Sequence, residues 1–139
     1  INSLGKSRAE MIISGTYRRA IRFKLHEIFS FLPTLKYDYP KVVKHFFAPE
    51  DEWDNVFPTI LAGWDRTPRT GDQEGVYINF TPKTFRQHIE TALKVIEHKV
   101  PEHRILFLRS WNEWAEGNYI EPDEKYGHGF LNAIRETIK

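Results

Sequence analysis

The chain has 139 residues, with 20 Lys and Arg against 19 Asp and Glu. That length suffices for one domain with a real core, and the near-neutral balance excludes a global field steering it to nucleic acid or acidic lipid. The absence of cysteine excludes disulfides and thiolate metal sites, and no apolar run approaches the ~18 residues of a membrane span. Aromatic residues make up 14% of the chain, a high share that serves as core or as platforms for sugar rings. The lack of cysteine is compatible with a cytoplasmic or otherwise reducing home, so the expected location is cytoplasmic, and no signal-peptide pattern opens the sequence. The start at Ile1, with Met11 the only methionine, reads as a piece of something longer.

Residues 7–32 read as a helical lead-in, filling most of a 1–35 segment. Ile21, Leu25, Ile28 and Leu32 form one apolar stripe, and Gly15 interrupts it. Its basic residues, among them Arg18, Arg19 and Arg22, suit the solvated face of a packing helix better than a membrane-surface helix, because the chain as a whole is neutral. Pro33 ends that helix and residues 37–40 form an extended or turning link. Pro40 can then occupy the first turn of a short helix over 41–47. Residues 48–55 read as an acidic, hydrated loop rather than a metal site.

Residues 57–64 predict a strand whose apolar run (Ile60, Leu61, Ala62) suits burial on both faces of a parallel sheet. It leads into Gly63-Trp64-Asp65-Arg66-Thr67-Pro68-Arg69, where an indole, a carboxylate and two guanidiniums crowd together. That stretch is either a loop held by an Asp65–Arg salt bridge or part of a ligand site. Residues 76–80 form a small extended piece. Thr81-Pro82 then supplies an N-cap and a first-turn proline for an amphipathic helix reaching about residue 99. His88, His98 and His103 read as surface histidines. Residues 104–109 give a second strand, completing a βαβ unit, and a last helix runs from about 124 or 126 to 137 with Phe130, Leu131, Ile134 and Ile138 as its buried stripe.

Chemistry concentrates in Ser110-Trp111-Asn112-Glu113-Trp114-Ala115-Glu116-Gly117 and the following Asn118-Tyr119-Ile120-Glu121. Glu113 and Glu116 would share a face in one helical turn, with Cβ atoms ~5–6 Å apart. A retaining glycosidase needs two carboxyl groups ~5–5.5 Å apart, one of them protonated near neutral pH. Apolar neighbours and a second carboxylate push one of such a pair toward the protonated form. The competing reading is a capping box, Ser110-x-x-Glu113, although Gly117 leaves little helix to cap.

The segment W-N-E-W-A-E-G-x-x-I-E-P-D, with Y-G-x-G-F-L-x-A-I after it and F-P-T-I-L-A-G-W-D-R-T-P-R and F-T-P-K-T-F-R before it, closely resembles the WbsX-type family of polysaccharide-biosynthesis glycosyltransferases. These motifs span about 37–138. That family is in turn similar to the endo-α-mannosidase glycoside hydrolases, which are (β/α)8 barrels. The resemblance implies an α/β fold with parallel strands alternating with helices, here the C-terminal portion of a TIM-like barrel forming a single partial domain. It also implies a catalytic pair. Glu113 would act as base on the sugar 2-hydroxyl, favouring a 1,2-anhydro intermediate, and Glu116 would protonate the leaving oxygen and then activate water or an acceptor. Trp111, Asn112, Trp114, Tyr119 and Glu121 would line the site, with Trp64, Asp65 and Arg66 approaching from the earlier strand end. Ala115 departs from the hydrolases, which usually carry His there.

A whole barrel takes ~250 residues, so this chain supplies at most the last two or three βα units. An isolated piece would be inactive and would self-associate through an exposed sheet edge. The implied role is lipopolysaccharide or O-antigen synthesis on a glycan substrate, by transfer or by hydrolysis. No metal or nucleotide motif is visible, so no cofactor is assigned. The alternatives are a non-catalytic carbohydrate-binding remnant and a plain structural α/β module.

Overall fold

A computed structural model describes residues 33–70 and 75–138, together with Ile21, Lys24 and Leu25. The chain divides into two compact units, 1–34 and 35–139. In the first unit, Ile21, Lys24 and Leu25 are helical, where the periodicity predicts a helix. The rest of that helical reading, with the break at Gly15 and the basic face, lies outside the described residues.

The second unit is an α/β assembly of short strands and two substantial helices. Its strands are β1 (Lys36–Asp38), β2 (Thr59–Leu61), β3 (Val76–Ile78), β4 (Phe107–Arg109), β5 (Asn112–Glu113) and β6 (Asn118–Tyr119). Its helices are α1 (Tyr39–Val43), α2 (Thr67–Thr70), α3 (Pro82–Ile96) and α4 (Gly129–Thr137). β1 pairs with β3 and β2 with β4, both parallel, while β5 and β6 form an antiparallel hairpin. The expected βαβ unit is present: α3 lies in the connection between β2 and its parallel neighbour β4.

Local chemistry explains α3. The Thr81 hydroxyl accepts from Thr84 N–H at 3.2 Å while Thr84 Oγ1 accepts from Thr81 N–H at 2.9 Å, and Pro82 needs no donor in the first turn. Phe85, Ile89, Ala92 and Ile96 recur on one face and are buried. Phe85, Ile89 and Ala92, with Ile60, Ile120, Phe130 and Ala133, make the core between the β2–β4 pair, α3 and α4. Arg86 links Glu90 and Glu136 across the outer side of that helix pair.

Four expectations need correction. His88 is fully buried, unlike exposed His98, because it does a strand's work at an edge of β2. Leu61 N–H donates to His88 Nε2 at 3.2 Å, and Leu61 O accepts from the buried Tyr39 hydroxyl at 2.7 Å. Side chains thus satisfy β2 where a neighbouring strand would otherwise pair, and the sheet is interrupted there. Secondly, β2 and β4 are covered on one face only: Ile60 and Leu108 point into the core, while Thr59 and Phe107 are exposed. Thirdly, the short helix expected over 41–47 is α1 at Tyr39–Val43, which follows directly on the extended β1. Fourthly, α4 starts at Gly129, because Asp123 accepts from Tyr126 N–H and pairs through its backbone with Gly127, forming a turn where the helix was expected.

The acidic loop carries a short 3-10 turn, Pro49–Glu52, in which Asp51 accepts from Ala48 N–H at 2.7 Å. Lys99, 2% exposed, donates to the carbonyls of Asp51, Trp53 and Val56 at 2.6, 2.9 and 2.5 Å. Its ammonium ties this loop to the end of α3.

Candidate active site

The glutamate stretch follows β4 directly and folds as a hairpin. β5 and β6 pair Asn112 with Tyr119 and Glu113 with Asn118, and Trp114–Glu116 make one 3-10 turn between them. Gly117 closes that turn at φ 56°, a left-handed conformation that disfavours a side chain. A Cβ there would also sit 2.9 Å from the Asp65 nitrogen, so glycine is required twice over. No helix begins at Ser110, and Glu113 makes no side-chain cap bond, which removes the capping-box reading.

The hairpin is pinned to the end of β2. Asp65 N–H donates to Glu116 O at 2.7 Å. Buried Asn118 donates from its amide to Ala62 O and to Gly63 O, the latter at 2.8 Å. The Asp65 carboxylate accepts from Thr67 N–H at 2.9 Å and Thr67 Oγ1 at 2.6 Å, starting α2.

The arginines turn to Glu116. Arg66 Nε lies 3.3 Å from Glu116 Oε1, Arg69 Nη1 4.0 Å from the same oxygen, and Arg109 Nη2 3.5 Å from Oε2. The Glu116 side chain is only 15% exposed. Glu113 is exposed, and its carboxylate has no ion pair or hydrogen bond among the described residues. The two glutamates therefore sit in different surroundings. Sequence reading singled out Arg66 but not Arg69 as a site residue, and it missed Arg109, whose position as the last residue of β4 was the available signal.

A cavity of about 420 Å³ opens between the hairpin and the carboxyl ends of β2 and β3. Trp64, Tyr77, Phe80, Trp114, Tyr119, Tyr126 and Phe130 supply half of its lining residues, and Asp65, Asn79, Asp123 and Lys125 supply polar groups. Trp114 and Tyr119 stack at 3.7 Å and 13°, and the Trp114 indole donates to Glu121 at 2.7 Å, which fixes its plane. Burial and the neighbouring Asp123 raise the Tyr119 hydroxyl above its ordinary pKa, keeping it a neutral hydrogen-bonding group. Of the predicted site residues, Trp64, Asp65, Trp114 and Tyr119 line this cavity. Arg66, Trp111, Asn112, Glu113, Glu116 and Glu121 do not. Trp111 is 53% exposed on the other part of the hairpin. Among the described residues no group of three His, Asp or Glu side chains could hold a metal ion.

Short parallel strand pairs packed against α3 and α4, with an aromatic-walled cavity at the strand ends, make this an α/β protein. The family model described as glycosyltransferase WbsX matches residues 5–134, and the chain belongs to that family. Two relatives, both called uncharacterized protein WxcX, from two strains of Xanthomonas campestris pv. campestris, are 31% identical over 87 residues, which is 60% of this chain. The chain spans about 12% of the length of these relatives. No solved structure matches it.

Proposed function

We propose that this chain forms one wall of a glycosyl-transferring active site in the synthesis of a bacterial surface polysaccharide, within the C-terminal part of a (β/α)8 barrel. The aromatic cavity carries the reading. Sugar rings present apolar C–H faces that stack on aromatic planes, and here such planes gather at the carboxyl end of parallel strands, where barrel enzymes keep their sites. The bare face of β2 and β4 supports the barrel assignment, since parallel strands are ordinarily covered on both sides.

Glu113 and Glu116 are the proposed acid–base pair. Glu113, exposed and without a partner among the described residues, is accessible to a sugar hydroxyl as a base. The ion pairs around Glu116 hold its carboxylate in one place at the turn of the hairpin. Removing a positioned acid–base group typically costs ~10²–10⁴ in rate. Glu116→Gln in the whole protein should therefore lower turnover of an α-linked mannoside or related glycan by at least about a hundredfold. Unchanged rates would sink the assignment.

One observation favours a second reading, glycan binding without turnover: neither glutamate lines the cavity. Glycan affinity that survives Glu113→Ala, in a protein with no measurable turnover, would select it.

A further inference from the structure

We infer that the aromatic cavity takes a positively charged amine, so that the sugar bound here is an amino sugar whose nitrogen is unacylated. This rests on the glycan reading above and names its substrate class. Two carboxylates, Asp65 and Asp123, line the cavity against a single ammonium, that of Lys125. Both aspartates are half-buried, and neutral groups supply the hydrogen bonds that hold them. Thr67 donates twice to the same oxygen of Asp65, Oδ1. Tyr126 N–H donates to Asp123 Oδ1, and the Tyr119 hydroxyl reaches Asp123 Oδ2 only at 3.4 Å. Neutral donors leave the charge of a carboxylate in place, and a carboxylate has about four acceptor sites, so both keep capacity for the N–H groups of a cation.

The ring walls point the same way. An aromatic face carries negative potential and attracts a cation within about 6 Å of its centroid. Two of the cavity's rings already hold a cation that the chain itself supplies. The Arg109 guanidinium lies 5.1 Å from the centroid of Trp64, and the Lys125 ammonium 4.8 Å from that of Tyr126. Arg109 is also engaged by Glu116, at 3.5 Å. Lys125 is exposed, where such contacts are weak, so a ligand amine can displace it from the ring. Tyr126 serves both sets of groups: its N–H anchors Asp123 and its ring attracts the cation, which offers carboxylate and ring face side by side. A hydroxylated or acylated sugar would stack on the same rings but leave both carboxylate charges uncompensated. A protonated amine answers the rings and the carboxylates together.

The test is calorimetric titration of the chain with the β-1,4-linked trimer of glucosamine. Cellotriose, its hydroxylated counterpart, and the N-acetylated trimer are the neutral controls. Near pH 6 the glucosamine trimer should bind about tenfold or more tightly than either control, the gain expected of a charge-assisted hydrogen bond. That advantage should fade by about pH 9, as the amine loses its proton. Asp65→Asn and Asp123→Asn should each lower the glucosamine affinity about tenfold and leave that for cellotriose unchanged, a split that a merely structural role would not produce. Lys125→Ala should strengthen glucosamine binding by removing the competing ammonium; weaker binding in this variant would count against the inference. Cellotriose bound as tightly as the glucosamine trimer, or an advantage that survives in both asparagine variants, would overturn the amine and keep the glycan reading. No binding of any of the three sugars would reject the glycan reading and the amine with it. Tetramethylammonium should compete only weakly, having no N–H for the carboxylates. Its binding more tightly than the glucosamine trimer would overturn the amino sugar in favour of a methylated ammonium.

Discussion

Protonating His88 would place a cation among the rings of Tyr39, Phe46 and Phe47 and take away the acceptor used by Leu61 N–H. Burial accordingly lowers its pKa from 6.5 to about 4. A folded-state pKa below the unfolded one means that the neutral form favours the fold. The contribution is full above pH 6.5 and is lost as pH falls through about 4. Its size is about 3 kcal/mol, at 1.36 kcal/mol per pKa unit. Urea denaturation should show stability declining from pH 7 to pH 4, and His88→Phe should flatten that decline. An equal decline in the variant would assign the effect to other groups. Helical spacing carried part of the signal, since His88 stands three residues after Phe85 and four before Ala92 on the stripe that α3 buries; its bond to β2 depends on tertiary packing.

At the scale of elements, the hairpin carrying the glutamates depends on Asn118 more than on its own two-residue strands. Hairpins this short have little stability alone. Asn118 is fully buried and satisfies two carbonyls at the end of β2, while Gly117 lets the backbone pass against Asp65. Asn118→Ala would leave both carbonyls without their donor, at a cost of about 2–3 kcal/mol. Thermal melts should show that loss, and cavity binding read by Trp114 should weaken with it. A variant of parental stability would mean that the hairpin is held by other contacts. α3 was legible from sequence because a cap, a first-turn proline and an apolar stripe are all local signals. β1, β5 and β6 were not: strands of two or three residues have no periodicity to read, and their existence depends on partners distant in sequence.

For the whole molecule, the exposed face of β2 and β4 is the feature with the largest physical consequence. Phe107 is 56% exposed and Ile105 43% exposed, next to a strand that pairs on one edge only among the described residues. Unpaired edges and apolar faces associate. Sedimentation of the isolated chain should therefore show concentration-dependent self-association, reduced by Phe107→Lys. A monomer at all concentrations in the parent would contradict this expectation. Among the described residues no helix is long and apolar enough to cross a membrane.

Sequence alone determined the family, the βαβ unit around α3 and the motif in which the chemistry concentrates, because each is written in neighbouring residues or in helical spacing. Only the tertiary structure decided which charges meet. It gave Asp65 to Thr67, drew three arginines to Glu116, left Glu113 exposed, and set the aromatic cavity beside the glutamates instead of around them. Those outcomes depend on how β2, β4 and the hairpin approach one another across some fifty residues of chain, a distance over which local sequence pattern has no reach.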